Sequence, residues 1–282
     1  MTSGNSYRQA RRPPRPLPGK RGAGLTMRPI GRPGSWVDHL PRLIALDPYW
    51  SYSWNYQRIA AHPPYIEFIP MLWGARDVPE RMAEVLADPR TQRVLGFNEP
   101  DHPKQSNIAV DKAVYEWTEH MVPSFERNSN HAVSLISPSP AHPAGPWMQS
   151  FMSRVQSVDT MDWIAVHWYD EPNVALFQRQ MTEYYQMYGY RPILITEFAV
   201  ADWRATSLDN HRYTPDRVLG FMQTVLPWLE ATPWIAGYAW FSFPVTSIPG
   251  KSSALFDEIG ALTPLGQFYA SVRTERPQGL RL

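Results

Sequence analysis

The sequence predicts an α/β fold, a single (β/α)8 TIM barrel, and three observations carry that expectation. At 282 residues the chain matches the roughly 250 of one such barrel better than two separate domains. Eight short apolar or β-rich runs occur along it, and helical patterns alternate with them. No second cluster of strands follows, so each strand should run parallel to the next, with a helix returning the chain between them. If the first run fails as a strand, an open seven-stranded α/β sheet is the alternative.

The first run, Gly22 to Met27, is glycine-rich and the weakest of the eight. Ser35 then stands as a helix cap before WVDHLPRLIAL. The second run, Tyr49 to Trp54, is followed around Gln57 to Ala61 by a segment too short for a full helix. The third, Ile66 to Trp73, leads into PERMAEVLAD from Pro79. The fourth, Val94 to Asn98, precedes a long helical pattern from Val110 to Arg127, and the fifth, Ala132 to Ser137, precedes Trp147 to Val158. The sixth, Trp163 to Trp168, is followed by Val174 to Tyr188, with Gly189 as a stop. The seventh, Ile193 to Thr196, precedes Pro215 to Leu229, and the eighth, Ile235 to Ser242, precedes Pro264 to Arg273. Thr214-Pro215 and Thr263-Pro264 each set a polar cap before a proline in the first helical turn, where the missing N–H costs no hydrogen bond.

Composition narrows the chemistry. With 43% hydrophobic and 19% charged residues the chain can bury a large core, which excludes a disordered or coiled-coil protein. Zero Cys excludes disulfide scaffolds, thiolate metal sites, iron–sulfur clusters and cysteine nucleophiles. Twelve Trp, 14 Tyr and 11 Phe are more rings than a core needs, and flat rings at a surface suit flat ligands such as sugars. The net charge of +1 hides an asymmetry: eight Lys and Arg and no acidic residue lie in residues 1–32, leaving 19 basic and 26 acidic residues in 33–282. Residues 1–18 read as a basic Pro/Arg-rich tail, 19–276 as the folded unit and 277–282 as a short tail. The N-terminal segment lacks the apolar core of a secretory leader, and no run reaches the roughly 18 apolar residues of a membrane span. A monomer with no nucleic-acid or membrane partner is expected.

In a barrel the chemistry sits at the carboxyl ends of the strands. The fourth strand ends in Asn98, Glu99 and Asp101, the sixth in His167 and Tyr169, and the seventh in Glu197, while the eighth carries Trp240. By strand alternation Leu95, Phe97 and Glu99 share one face, as do Ile193, Ile195 and Glu197. If those faces point inward, two carboxyl groups converge over the axis. That is the requirement of glycoside hydrolysis: one acid protonates the leaving oxygen, and the other carboxylate attacks the anomeric carbon or activates water. The neighbouring negative charge should raise the acid's pKa and give a bell-shaped pH profile. Trp54, Trp73, Trp147, Trp168 and Trp203 lie at or past strand ends; two or three should stack on sugar, Trp54 and Trp73 first. His167 shares a strand face with Tyr169 and points to the pocket, as a substrate contact or a satisfied structural histidine.

The set KRGAG, FIPMLWG, GFNEPD, SPSPAHP, AVHWYD, ITEFA and GYAWF, with the ending SSALFD…GALTPLGQFY, resembles glycoside hydrolase family 128 over about residues 18–270. The resemblance implies a clan A barrel, retaining chemistry and activity on β-1,3-glucan, and an endo-β-1,3-glucanase is the expected function. It implies Glu99 as general acid/base, Glu197 as nucleophile, Asn98 as a contact to the sugar 2-hydroxyl, Tyr169 as the residue that orients the nucleophile, and Trp240 as the aromatic floor under the reacting ring. A strand-two arginine that some clan relatives place near the nucleophile has no clear counterpart.

Other chemistries find little support. The eight His include no H-E-x-x-H spacing, Gly250-Lys251-Ser252 lacks the upstream glycine of a phosphate loop, and no G-x-S-x-G exists. No metal or cofactor is expected. A noncatalytic β-glucan-binding barrel, or a clan A hydrolase of β-1,4-glucan or mannan, is the alternative; retention of both glutamates with Asn98 favours the enzyme.

Overall fold

The structure, a computed structural model, describes residues 15–26, 36–127, 133–155 and 161–274. Most of the expected tail, Met27, the Ser35 cap, Ala132, Val158 and residues 277–282 lie outside the described residues. The elements run β1 (Gly22–Gly24), α1 (Trp36–Leu46), β2 (Trp50–Tyr52), β3 (Glu67–Phe68), α2 (Val78–Ala87), β4 (Arg93–Leu95), α3 (Val110–Glu116), a π-turn (Trp117–Met121) and α4 (Val122–Arg127). They continue with β5 (Ser134–Ile136), α5 (Pro146–Arg154), β6 (Met161–Asp170), α6 (Val174–Met187), β7 (Ile193–Val200), α7 (Pro215–Ala231), β8 (Ile235–Trp240) and α8 (Pro264–Ser271). The caps at Thr214 and Thr263 form, each hydroxyl accepting from the N–H three residues on, behind Pro215 and Pro264.

The α/β alternation is present, but the expected closed eight-stranded TIM barrel is not. The strands form two parallel sheets, β1-β2-β3 and β4-β5-β6-β7-β8. At their edges the two meet through the isolated bridges of Arg21 with Tyr238 and Met71 with Leu95, and Asn98 N–H donates to Trp73 O (3.0 Å) past the second of these. The cause lies in the sequence of the short strands. β3 has two residues, hemmed by Pro63 and Pro64 on one side and Pro70 on the other, and proline has no N–H to extend a ladder. β1 is Gly-Ala-Gly because its neighbours need the space: a Cβ on Gly22 would sit 2.2 Å from the Trp50 ring, and one on Gly24 2.9 Å from Tyr52.

Side chains complete what the ladders leave open. At one junction Arg93 of β4, buried beneath Trp163 with its guanidinium 4.8 Å from the ring centre, pairs with Glu67 of β3. At the other the Tyr269 hydroxyl donates to Gly22 O (2.8 Å) and accepts from Trp240 N–H (3.1 Å), tying β1 to β8 through α8. Lys20 Nζ donates to the carbonyls of Leu229, Glu230 and Thr232 (2.9, 2.8 and 2.7 Å), where a cation satisfies the unpaired end of α7.

The core has two parts. The larger lies between strands and helices and includes Val94, Phe97, Ile164, Val166, Ile193, Ile195, Phe221 and Leu229. The smaller, with Trp50, Tyr52, Leu95, Ile136, Trp163, Ala165, Leu194 and Ala239, draws on both sheets and fills the space they enclose. Among the described residues no helix is long and apolar enough to cross a membrane.

Candidate active site

The two cores show that alternation alone misplaces the carboxylates. Ile193 and Ile195 pack toward the helices and Leu194 toward the enclosed space, so strict period two would send Glu197 outward with the isoleucines. The β7–β8 register shifts between Ile195 and Phe198. That irregularity puts Thr196 and Glu197 on the same side: Thr196 Oγ1 reaches Ser139 Oγ and Glu197 reaches Tyr169. Leu95 likewise faces the enclosed space and Phe97 the helices. Glu99 turns inward because its own backbone is left-handed, with φ 40. Glu99 N–H donates to Ser139 O (2.8 Å), which holds that turn against the neighbouring strand end.

A cavity of about 1390 Å³ opens at the carboxyl ends of the strands, with Glu99 and Glu197 in its wall. One imidazole lies between them. His167 Nδ1–H donates to Glu99 Oε1 (3.0 Å), and Nε2 stands 3.5 Å from Glu197 Oε1 without forming a hydrogen bond. One carboxylate oxygen from each glutamate and one ring nitrogen of His167 all lie within 4.8 Å of one another. Such a trio has the spacing of a metal site, and two carboxyl groups at that separation also suit an acid and a nucleophile. Glu197 is held by three further side chains: Trp54 Nε1–H donates to Oε1 (2.7 Å), Tyr52 OH stands 3.3 Å from Oε1, and Tyr169 OH donates to Oε2 (2.5 Å).

Burial opposes ionisation of Glu99, but the hydrogen bond and charge of His167, with His102 and His142 beyond, outweigh it and hold the carboxyl below its ordinary value. Burial also opposes a charged His167, yet the carboxylates of Glu197 and Glu99 raise its pKa overall. The expected rise in Glu99 from a neighbouring carboxylate leaves out the imidazole that separates the two. The shifts run in opposite directions, Glu99 down and His167 up, which favours a proton on the imidazole over one on the carboxyl. Burial, then the charge of Glu197, pushes the Tyr52 and Tyr169 hydroxyls well above the ordinary tyrosine value, so both remain proton donors.

Most of the sequence-derived site residues come together here. Asn98, Glu99, Tyr169, Glu197, Trp54 and Trp73 line the cavity, and His167 lies buried behind the two glutamates. Trp54 meets Glu197 through its N–H. Trp240 does not reach the cavity: it is 1% exposed, packed edge-on to Phe198, with its N–H on Ser253 O. Phe241 and Phe243, just past β8, take the place expected of it in the wall. Trp147 stacks on Phe151 and donates to Ile108 O, and Trp168 stacks on Phe221 and donates to Gln180, so both are packing residues. Trp203, 62% exposed and bonded to Tyr169 O (3.2 Å), lines the cavity. The sequence reading missed Tyr52, although the every-second-residue spacing of Trp50, Tyr52 and Trp54 marks it as a neighbour of Trp54.

Among curated proteins none matches the chain. The glycosyl hydrolase catalytic core family matches residues 43–269. Solved structures with the same fold include a subgroup I endo-β-1,3-glucanase of glycoside hydrolase family 128 from Amycolatopsis mediterranei in complex with laminaritriose, 24% identical with a TM-score of 0.71, the match covering 90% of this chain and 99% of that one. A subgroup III curdlan-specific exo-β-1,3-glucanase of the family from Blastomyces gilchristii, in complex with glucose, is 27% identical (TM-score 0.67, 92% and 100% covered). A subgroup II endo-β-1,3-glucanase from Sorangium cellulosum is 25% identical (TM-score 0.67, 93% and 100% covered). With two glutamates converging in a cleft at the strand ends, the chain belongs to the glycosyl hydrolase catalytic core family and, within it, to glycoside hydrolase family 128.

Proposed function

We propose that the protein is a retaining endo-β-1,3-glucanase that works by double displacement, with Glu99 as general acid/base and Glu197 as nucleophile. The observation that carries this reading is the separation of the carboxylates. Oxygens of Glu99 and Glu197 within 4.8 Å of each other belong with the ~5 Å of retaining enzymes, not the ~6.5–9.5 Å that leaves room for an inverting water.

In the first step a Glu197 oxygen bonds to the anomeric carbon as the glycosidic C–O bond breaks, and the departing oxygen takes a proton from Glu99. That proton passes to Glu99 Oε1 from His167 Nδ1 along their 3.0 Å hydrogen bond, so His167 is the store that Glu99 draws on. In the second step water attacks the anomeric carbon, Glu99 takes its proton, and the ester to Glu197 breaks. Asn98 Oδ1 is buried with no hydrogen-bond partner among the described residues, which supports a sugar hydroxyl as its partner. Trp73, Trp203, Phe241 and Phe243 offer faces for pyranose rings. The cavity exceeds the ~300–1,000 Å³ of ordinary small-molecule pockets, which supports several sugars bound on both sides of the cleaved bond. The relatives named as β-1,3-glucanases, one of them holding laminaritriose, support the linkage.

Product analysis on laminarin, curdlan, mixed-linkage glucan, cellulose and mannan tests this reading, with Glu197→Ala run beside the wild type. Laminari-oligosaccharides that vanish in the variant are the expected result. Cleavage confined to cellulose or mannan would move the linkage, and binding without products from any polymer would leave a carbohydrate-binding protein.

A further inference from the structure

The two oxygens of Glu197 have unequal surroundings. Oε1 accepts from the Trp54 indole at 2.7 Å, has the Tyr52 hydroxyl at 3.3 Å and has His167 Nε2 at 3.5 Å, whereas among the described residues Oε2 holds Tyr169 alone. Tyr52 has a single proton and stands closer to Thr196 O, at 2.9 Å, so Trp54 is the principal donor to Oε1. An ionised carboxylate oxygen offers two acceptor sites. Trp54 takes one site of Oε1 while the Tyr52 hydroxyl and the His167 ring crowd the other, and one site of Oε2 is left for carbon.

Trp54 is built for this contact. Its backbone is left-handed, φ 53, a conformation costly for a bulky L residue that persists only where its surroundings impose it. The twist comes two residues after β2 and brings the indole edge back over the end of β7. Tyr52 and Phe241 meet the ring edge-on, with centroids 4.9 and 6.0 Å away, and fix its orientation. On the reading of Glu197 as nucleophile, we propose that Trp54 is a positioning residue: its N–H holds Oε1 as the spectator oxygen and leaves Oε2 to form the bond to the anomeric carbon. The leaving oxygen keeps the electron pair of the broken bond and receives the proton of Glu99. A neutral donor just past β2 thereby orients the carboxylate with no added charge beside His167.

Trp54→Phe keeps an aromatic face and removes the N–H, whereas Trp54→Ala removes both. Positioning predicts that kcat on a laminari-oligosaccharide falls about 10- to 100-fold in Trp54→Phe, the cost of one hydrogen bond to a charged group, with KM little changed. A sugar platform predicts the reverse, with Trp54→Phe near wild type and KM raised in Trp54→Ala, and that result would overturn the proposal. The indole ¹⁵N–¹H resonance of Trp54, identified by its loss in Trp54→Phe, gives a reading that needs no turnover. It should move upfield in Glu197→Ala, and an unmoved resonance would also overturn the proposal. If the wild type cleaves no glycan, the enzymatic reading fails by itself, while the resonance still reports whether indole and carboxylate are bonded.

Discussion

Between Glu99 and Glu197 lies one imidazole whose two nitrogens face different carboxylates, and this controls how the acid titrates. On the proposed role of Glu99 as general acid, the raised pKa of His167 and the lowered one of Glu99 predict that the pair holds the proton to a pH above the ordinary imidazole value of ~6.5. In His167→Asn only the Glu99 carboxyl can hold it. The alkaline limb of kcat/KM on laminarin should therefore shift to lower pH in that variant, and an unshifted limb would show that His167 does not store the proton. Tyr52 and Tyr169 titrate too high to set this limb. Both carboxylates were legible in the sequence because each follows an apolar run, although β7 continues past Glu197 to Val200 and β4 stops at Leu95, and the argument for their inward aim was incomplete. Leu95 with Phe97, and Ile195 with Glu197, sit on opposite sides of their strands, and a left-handed Glu99 and a bulge before Phe198 restore the aim. Single-residue breaks in parity leave no periodic trace.

At the scale of elements, the segment after β7 carries Trp203 into the cavity and is strapped by one buried carboxylate. Asp202 accepts from Arg212 N (2.8 Å), from Arg212 Nε (2.9 and 3.0 Å) and from Arg204 N (3.2 Å), while its own N–H donates to Pro249 O (2.7 Å). The side-chain hydrogen bonds of Arg212 hold the Asp202 carboxyl far below its ordinary value. A depressed carboxylate contributes stability that is present above its unfolded pKa of ~3.9 and is lost as pH falls toward the folded value. Asp202→Asn should cost roughly 1.5–3 kcal/mol at neutral pH and raise KM through a loosened Trp203. Its Tm should also change less than that of the wild type between about pH 4 and pH 2; parallel Tm curves would contradict the strap. Helices with marked starts, such as Thr214-Pro215 and Thr263-Pro264, were legible to the residue, because the cap and the proline act locally. The strap was not, since Asp202 and Arg212 pair across a loop without periodicity.

Over the whole molecule, the eight apolar runs do become eight strands in the expected order, but backbone pairing divides them into two sheets. Whether a ladder continues depends on individual N–H groups, and the prolines around Glu67–Phe68 limit it where hydrophobic pattern alone suggests closure. Arg93 with Glu67, and Tyr269 with Gly22 and Trp240, join the sheets by side chains. The shared core from Trp50 to Ala239 then brings strand ends from both sheets around one cavity, so that Trp54 of one half meets Glu197 of the other. Proton NMR of laminarihexaose hydrolysis tests this account most directly, because the first-formed anomer reports the geometry of the two carboxylates. The account predicts β-configured reducing ends on several shorter oligosaccharides before mutarotation, and none with Glu197→Ala. Products that first appear as the α-anomer, or that form unchanged in Glu197→Ala, would contradict it.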